Sequence, residues 1–347
     1  MSNPDKKTPL LGMTLDQLKE VAPSVGLKPF AAKQMARWLY EKKVTSIDEM
    51  TDLSKAAREK LSENYEIGRQ APIHCATSAD GTKKYLFEAR PGRPIEAVYI
   101  PDHDRATLCV SSQAGCKMNC QFCATGRGGF QGSLTAGEII NQILSIPESD
   151  TLTNIVFMGM GEPADNLEAV LPALEILTEK WGLAWSPRRI TVSSVGKLDG
   201  MRQILDKTKV HIALSLHNPF PGRRADIMPV EKAYPLNDVL EMLRKYDFSH
   251  QRRLSFEYIM WNGINDDSRH ARALARILHG LDCRVNLIRY HALTPDDPLQ
   301  PSDNDTMVRF RDTLNDSGIT ATIRASRGED IDAACGMLAG RQNKQEN

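Results

Sequence analysis

Short strand-like segments alternate with amphipathic helical segments along most of this chain, and this alternation constrains the fold more than any other feature. Strand character, rich in β-branched and aromatic residues, recurs at residues 106–111, 154–158, 189–193, 210–216, 254–260 and 284–288. Helical periodicity is found at residues 135–146, 167–181, 198–206, 236–246 and 268–279. Parallel neighbouring strands need a long crossover, usually a helix. Six β/α units in series therefore predict an α/β fold, an incomplete (β/α)6 barrel.

A small helical domain is predicted before the barrel, over residues 1–70. Thr14 and Gln17 have the spacing of a capping box, and Ser54 is placed to begin a further helix. Its lysines and arginines are interleaved with acidic residues, a pattern shared by RNA-binding surfaces and by solvated helix faces. The charges alone do not decide between the two.

Three short strand segments follow, with a turn at Asp80 and Gly81. They predict a β-hairpin linker over residues 71–104. The barrel is then expected over residues 105–340, and residues 341–347 are expected to be a disordered tail.

Three cysteines stand at C-x3-C-x2-C spacing directly after the first predicted barrel strand: Cys116, Cys120 and Cys123. One loop of this length can direct three thiolates at a common point, and soft thiolates bind zinc or an iron-sulfur cluster. Three protein ligands leave one metal position open for a substrate or cofactor. A structural zinc site would need a fourth ligand, for which Cys109 and His103 are the candidates. The spacing favours the cluster and leaves the zinc alternative open.

Polar and glycine-containing motifs follow the next three predicted strands. They supply Gly161, Glu162, Ser193, Ser215, Leu216 and His217. Each motif is weak by itself, because a G-x-G is commonly a tight turn. The carboxyl ends of parallel strands meet at one edge of the sheet, where the active sites of such folds lie. Together the motifs predict a binding site at the same edge as the cysteine loop.

Charge and hydropathy restrict the class of protein. The chain carries 44 basic and 44 acidic residues, so any RNA binding must use local patches rather than an overall positive field. No apolar run approaches the ~20 residues of a membrane span. We therefore expect a cytoplasmic protein without a membrane partner. In that compartment the seven cysteines are metal ligands, catalytic groups or buried side chains rather than a disulfide framework.

The order of these motifs resembles a known enzyme family. Cys109, the cysteine loop with Phe122 before its last cysteine, Gly-Glu-Pro, Ser-Leu-His and a C-terminal Arg-Gly-Glu-Asp-Ile-Asp-Ala-Ala-Cys-Gly containing Cys335 occur in one chain. From about residue 14 to Gly340, this chain closely resembles the dual-specificity RNA adenine-C2 methyltransferases, which are radical S-adenosylmethionine enzymes.

The resemblance implies the cofactors and the partners. It implies a 4Fe-4S cluster on Cys116, Cys120 and Cys123, and S-adenosylmethionine, two molecules per turnover, held by the strand-end motifs. The implied substrates are an adenosine of the peptidyl transferase centre of 23S rRNA and the adenosine 3' of the anticodon in tRNA. An electron donor such as flavodoxin, an RNA-binding N-terminal domain and a monomeric state are also implied.

The family's reaction assigns roles to three further residues. Cys335 would carry the methyl group, Glu96 would remove the C2 proton, and Cys109 would release the product by forming a disulfide with Cys335. Without the resemblance, Glu96 would be interpreted as a solvated strand residue and Cys109 as a core residue. Cys75 and Cys283 match no motif, and we interpret both as structural.

His291 departs from the family pattern, which commonly has an asparagine there that contacts S-adenosylmethionine. An imidazole can replace one amide hydrogen bond but not the donor and acceptor pair of an amide. The resemblance therefore predicts His291 beside the cofactor but leaves the form of its contact open.

Three other functions account for parts of the sequence. The related adenine-C8 methyltransferase of the antibiotic-resistance type shares the cluster, the glutamate and both outer cysteines. A radical-generating activase for a protein substrate leaves Cys109, Cys335 and the helical domain unexplained. A zinc-stabilised RNA-binding protein would be colourless, whereas an iron-sulfur protein is brown.

Overall fold

The computed structural model describes residues 7–90, 92–250, 252–294 and 296–340. Its strands are β1 (Thr8–Pro9), β2 (Tyr65–Glu66), β3 (His74–Thr77), β4 (Lys83–Arg90), β5 (Arg93–Asp102), β6 (Arg105–Cys109), β7 (Gln113–Gly115), β8 (Phe130–Ser133), β9 (Asn154–Phe157), β10 (Ile190–Ser194), β11 (His211–Ser215), β12 (Leu254–Met260), β13 (Cys283–Arg289) and β14 (Thr320–Ile323). Its α-helices are α1 (Leu15–Ser24), α2 (Ala31–Ala36), α3 (Lys55–Asn64), α4 (Ala124–Arg127), α5 (Ala136–Leu144), α6 (Leu167–Thr178), α7 (Leu198–Lys207), α8 (Pro221–Ile227), α9 (Leu236–Leu243), α10 (Ser268–Leu278) and α11 (Asn304–Asp316). The predicted tail, residues 341–347, lies outside the described residues.

The chain divides into two compact units. Unit 1 contains residues 7–72, Leu134–Thr151 and Leu167–Ser186. Unit 2 contains Ile73–Ser133, Leu152–Asn166 and the described residues from Pro187 onward. Helices α5 and α6 therefore belong to unit 1, although they fall between strands of unit 2 in the sequence.

Unit 1 begins with the predicted capping box. The Thr14 N–H donates to Gln17 Oε1 at 2.9 Å, and the Gln17 N–H donates to Thr14 Oγ1 at 3.4 Å. The predicted start of α3 is also confirmed, because the Ala57 N–H donates to Ser54 Oγ at 3.3 Å. A Cβ on Gly12 would lie 2.0 Å from the Gly137 nitrogen, so only glycine allows the start of α5 this close. The core of the unit includes the fully buried Leu18, Met35, Leu39, Tyr40 and Leu61.

Unit 2 is built on one sheet of ten strands in the order β14-β13-β12-β11-β10-β9-β6-β5-β4-β3. Strand β6 and strands β9 to β14 are parallel to one another, and β3 to β6 form an antiparallel meander. Within the described residues β14 and β3 are the two edges and do not pair with each other. The predicted α/β fold, an incomplete barrel with a hairpin before its first strand, is confirmed.

Some elements of unit 2 were not expected from the sequence. Helix α11 buries Met307, Phe310 and Leu314, which have the i, i+3, i+7 spacing of a helix, although most of its other positions are polar. Strands β7 and β8 pair with each other on either side of the cysteine loop. Among the described helices, none is long and apolar enough to cross a membrane.

Candidate active site

A cavity of about 210 Å³ lies in unit 2, where the parallel strands end. Ten of the predicted site residues line it: Cys116, Cys120, Cys123, Gly161, Glu162, Ser193, Ser215, His217, His291 and Cys335. Three predicted site residues, Glu96, Cys109 and Leu216, are buried and do not line it. The strand-end motifs that are separately weak in the sequence thus converge on one space.

The cysteine loop is held at both ends and through its aromatic residue. The Cys116 N–H donates to the carbonyl of Gly129 at 3.1 Å, which continues the β7–β8 pairing into the loop. Phe122 packs edge-on against His217, with ring centroids 4.7 Å apart, and against Trp261 at 5.4 Å. This packing fixes the backbone on both sides of Cys120 and Cys123.

The three thiols of the loop lie close enough to affect one another. Burial raises the pKa of Cys116 to about 12, and burial with the neighbouring Cys123 and Cys116 raises the pKa of Cys120 well above its usual value. A buried thiol of this kind becomes a thiolate when a metal binds it, because the metal charge outweighs the desolvation.

The donor set fits a three-cysteine cluster better than zinc. Among the described residues, no three His, Cys, Asp or Glu side chains converge as they would around a single metal ion. Each cysteine of a 4Fe-4S cluster binds a different iron, so its thiolates need not meet at one point. Neither Cys109 nor His103 lines the cavity, and the zinc alternative therefore lacks its fourth ligand.

Glu162 is a buried carboxyl group beside the cysteine loop. Its Oε2 accepts from the Val195 N–H at 2.9 Å, and its Oε1 accepts from the Ala164 N–H at 3.0 Å. Burial raises the pKa of Glu162 to about 7. Gly161 before it has a φ of +96°, and a Cβ there would lie 2.5 Å from that of Gln113, so the tight approach requires glycine.

His217 is buried and has a left-handed backbone, with φ of 57°. Its Nδ1 accepts from the Ile259 N–H at 3.0 Å, which places the ring proton on Nε2. Burial and the nearby Arg224 lower the pKa of His217 to about 3, so the ring is neutral at physiological pH. Leu216 next to it is fully buried and belongs to the core.

Arg224 holds the ends of β10 and β11 together, although no sequence motif singles it out. Its guanidinium group donates to the carbonyls of Leu216 at 3.1 Å, Val195 at 2.7 Å and Ser215 at 3.0 Å. The side chain is 1 % exposed and forms an ion pair with the buried Glu231. A charge this deep is tolerated because it is paired and hydrogen-bonded.

His291 reaches the cavity from the end of β13. Its Nε2 lies 2.9 Å from Ser326 Oγ and 3.7 Å from Glu329 Oε1, both in the segment after β14. Burial lowers the pKa of His291. A second buried carboxyl group, Glu257, also lines the cavity and was missed in the sequence because it resembles an ordinary strand residue. It accepts from Asn286 Nδ2 at 2.8 Å.

Cys335 lies in the loop of residues 332–340, which is bonded to the cysteine loop. The Ala124 N–H donates to the carbonyl of Gly336 at 2.7 Å, and Thr125 Oγ1 donates to that of Leu338 at 2.6 Å. Cys335 is exposed at the cavity, and desolvation by the surrounding residues raises the pKa of its thiol. Burial and the proximity of Cys335 together raise the pKa of Cys109, at the end of β6, to about 12. The two thiol groups are therefore close enough to interact electrostatically.

Glu96 is fixed to the same loop. Its Oε2 accepts from the N–H groups of Ala339 at 2.8 Å and Gly340 at 2.9 Å. Its Oε1 lies 3.3 Å from Lys84 Nζ, and both side chains are buried. The solvated strand residue expected from the sequence alone is thus a paired carboxylate inside the protein.

Comparison with known proteins agrees with this geometry. Residues 8–67 match the family described as the ribosomal RNA large subunit methyltransferase N-terminal domain, and residues 110–275 match the radical SAM superfamily. The chain is 56% identical to the probable dual-specificity RNA methyltransferase RlmN of Bacteroides thetaiotaomicron, over 98% of this chain and 99% of that protein. The chain belongs to the RlmN family. It is also 40% identical to the dual-specificity RNA methyltransferase RlmN of Marinobacter nauticus, over 98% of this chain and 95% of that protein.

The same family relationship is seen in a solved structure. A radical SAM methyltransferase from Sphaerobacter thermophilus superimposes with a TM-score of 0.89 at 38% identity, covering 96% of this chain and 100% of that one. Membership of the RlmN family makes this protein a radical S-adenosylmethionine methyltransferase, with a 4Fe-4S cluster and S-adenosylmethionine as cofactors.

Proposed function

We propose that this enzyme methylates C2 of adenosine in 23S rRNA, at the peptidyl transferase centre, and in tRNA, 3' of the anticodon, through a methyl group carried on Cys335. The observation that carries the proposal is that the loop containing Cys335 is hydrogen-bonded both to the cysteine loop and to Glu96. The Cys335 thiol also interacts electrostatically with that of Cys109. A zinc-stabilised RNA-binding protein would not need a cysteine-containing loop joined in this way to the metal-binding loop and to a buried carboxylate.

Cys116, Cys120 and Cys123 would hold the cluster, because they belong to one loop and all three line the cavity. When bound, the cluster and S-adenosylmethionine supply the organic radical that takes a hydrogen atom from the methyl group on Cys335. Gly161, Glu162, Ser193, Ser215, His217 and His291 line the same space and would position S-adenosylmethionine. Leu216 would act only through its backbone, since its side chain belongs to the core.

The three remaining residues would act in turn. The Cys335 thiolate first takes a methyl group from one S-adenosylmethionine, and the methylene radical formed on it adds to C2 of adenine. Glu96 then accepts the C2 proton, using acceptor capacity that its three partners leave open. One electron must leave the radical adduct as well, and the cluster would take it back, so that the aromatic ring is restored. The Cys109 thiolate finally attacks the Cys335 sulfur, so that a disulfide forms and the bond between that sulfur and the methylene carbon breaks. The released carbon takes up a proton and becomes the methyl group of the RNA. The target base must leave its stack to reach this buried site.

The decisive experiment compares Cys109→Ala with Cys335→Ala on 23S rRNA fragments and tRNA. Without Cys109, the methylene bridge between Cys335 and adenine has no thiolate to break it, so a protein–RNA adduct accumulates and disappears on RNase treatment. Without Cys335, neither the adduct nor the product can form. Cys75→Ala, at an exposed cysteine of β3, is the matched control and should retain activity.

Both variants should keep the iron of the wild type. A Cys109→Ala protein that loses its iron and forms no adduct would contradict the proposal, because Cys109 would then be a metal ligand. Mass spectrometry of the digested RNA gives the position of methylation. A product methylated at C8 would replace the C2 assignment by that of the resistance enzymes.

We further propose that an electron donor such as flavodoxin reduces the cluster, and that the enzyme acts as a monomer in the cytoplasm, where its RNA substrates are found. Anaerobic reduction followed by absorption spectroscopy tests the donor. Light scattering at working concentration tests the oligomeric state, and a dimer would contradict that part of the proposal.

A further inference from the structure

A second cavity, of about 370 Å³, lies in unit 2 and has a different character from the first. Five arginines line it: Arg105, Arg188, Arg252, Arg253 and Arg284. His211 and His250 line it as well, and Asp282 is the one carboxylate among its described lining residues. Its volume far exceeds the ~15 Å³ that a single water requires. This basic cavity takes no part in the proposed methyl transfer.

The basic cavity lies at the amino ends of the parallel strands. Arg105 opens β6, His211 opens β11, and Arg284 is the second residue of β13. The cysteine loop and the strand-end motifs stand at the opposite ends of the same strands. At the amino-terminal side of such sheets the residues ordinarily serve stability rather than chemistry. Five like charges around one space repel one another, so their clustering does not itself stabilise the fold.

The arginines of the basic cavity form no direct ion pair within the described residues, although Asp282 shares the cavity and Asp206 acts on Arg252 electrostatically. Within residues 7–90, 92–250, 252–294 and 296–340, no carboxylate oxygen lies within 4.0 Å of any of the five guanidinium groups. Arg252 is 7 % exposed, and its buried Nε has no hydrogen-bond partner there, although its Nη2 donates to the carbonyls of Leu205, at 2.8 Å, and Thr208. A buried donor without a partner is costly and points to a missing acceptor.

His211 in the basic cavity is neutral and leaves the positive charge to the arginines. Its Nδ1 accepts from the Arg253 N–H at 2.8 Å. Burial and the nearby Arg253 and Arg188 lower the pKa of His211 to about 4. The Arg188 guanidinium group donates to the His250 carbonyl at the long distance of 3.5 Å. The forked donors of several arginines are thus available to one anion.

We propose that the basic cavity binds a phosphate group, either on the backbone of the RNA substrate or on a small phosphate compound. Guanidinium groups match the oxygens of phosphate with paired hydrogen bonds, and a cluster of them is the arrangement that proteins use for phosphate recognition. An acidic electron donor does not fit this place, because it must approach the cysteine loop at the other ends of the strands.

Thermal unfolding of the intact enzyme with inorganic pyrophosphate tests the site itself. The double variant Arg188→Ala/Arg253→Ala removes two exposed arginines of the cavity. Arg272→Ala/Arg276→Ala removes two exposed arginines of α10 and is the matched control. Pyrophosphate should raise the melting temperature of the wild type and of the control by about 2 °C or more, and should not raise that of the cavity variant. Without pyrophosphate, at low salt, the cavity variant should melt no lower than the wild type, because removing two arginines reduces the repulsion among the positive charges of the cavity.

Binding of substrate tRNA at several salt concentrations identifies the source of the phosphate. A backbone phosphate predicts that the cavity variant binds tRNA at least about fivefold more weakly, with a salt dependence reduced by about one unit per lost contact. A small phosphate compound predicts unchanged tRNA affinity and loss of the pyrophosphate effect alone. If the cavity variant equals the control in both measurements, the basic cavity is not a phosphate site.

The tRNA measurement rests on the proposed function, whereas the pyrophosphate measurement does not. Methylation of tRNA by the wild-type enzyme reports the proposed function separately. Failure of the phosphate-site proposal is therefore distinguishable from failure of the proposed function.

Discussion

The carboxylate of Glu96 accepts a hydrogen bond from the backbone N–H of Gly340 at 2.9 Å, which joins β5 to the last described residue of the chain. A Cβ on Gly340 would lie 2.8 Å from the Pro94 carbonyl, so glycine is needed for this approach. Through this bond the residue proposed as the proton acceptor is tied to the loop that contains Cys335.

Replacing Glu96 by Gln should allow the addition to adenine but block the removal of the C2 proton that follows it. The amide oxygen can still accept the Gly340 N–H, but an amide cannot take the C2 proton. We therefore expect a protein–RNA adduct to accumulate while turnover falls at least ~100-fold, the usual minimum for loss of a general base. Gel shift and product analysis measure both, with the exposed Glu88→Gln as the control. Turnover at the wild-type rate would rule out Glu96 as the base.

Arg224 leads to a prediction about stability. Arg224→Met leaves Glu231 buried without its partner and frees three carbonyls, so we expect about 3–5 kcal/mol less free energy of unfolding. Arg224→Met/Glu231→Gln should recover part of this loss, because no buried charge remains unpaired. Urea unfolding measures it, and Arg223→Met, at an exposed neighbour, should change little. Equal stability of Arg224→Met and Arg223→Met would contradict the structural role.

His291 occupies the position at which the family commonly has an asparagine, and its role can be tested by substitution. If it contacts S-adenosylmethionine, His291→Leu should weaken cofactor binding by about 1 kcal/mol or more, whereas His291→Asn should preserve it. Ser326→Ala removes only the hydroxyl that His291 meets at 2.9 Å and reports any effect of the loop alone. Calorimetry of cofactor binding measures all three. Unchanged affinity in His291→Leu would make His291 a loop residue.

His211 predicts a pH dependence of stability. Its pKa is about 4 in the folded protein against an ordinary value of 6.5, so the unfolded chain binds the extra proton first as the pH falls. The stabilisation is complete above pH 6.5 and is lost between there and pH 4. From pH 7 to pH 5 the wild type should lose about 1 kcal/mol more than His211→Gln, after allowance for the half-exposed ring.

The groups around the ring set the sign of this effect. Arg188, Arg252 and Arg253 oppose protonation of His211, and Asp282 is the carboxylate that shares its cavity among the described residues. Urea unfolding at the two pH values measures the difference. Parallel losses in wild type and variant would show that His211 titrates normally.

Features that depend on residues close together in the chain could be predicted from the sequence alone. The capping box at Thr14 and Gln17 forms because the two groups are three residues apart on one helix turn. The order of strands and helices follows from local periodicity, and parallel pairing then brings the strand-end motifs to one edge. The spacing of Cys116, Cys120 and Cys123 likewise places three thiols on one loop, and all three line the same cavity.

The meeting of distant residues, and the loss of water from some of them, depends on the tertiary structure. Glu96 has the same alternating pattern as a surface strand residue, and only the return of the chain at Gly340 buries it. Arg224 is one of two adjacent arginines, and nothing local distinguishes the buried one from the exposed one. The five arginines of the basic cavity are scattered along the sequence, and they come together because parallel strands place all their amino ends at the same edge.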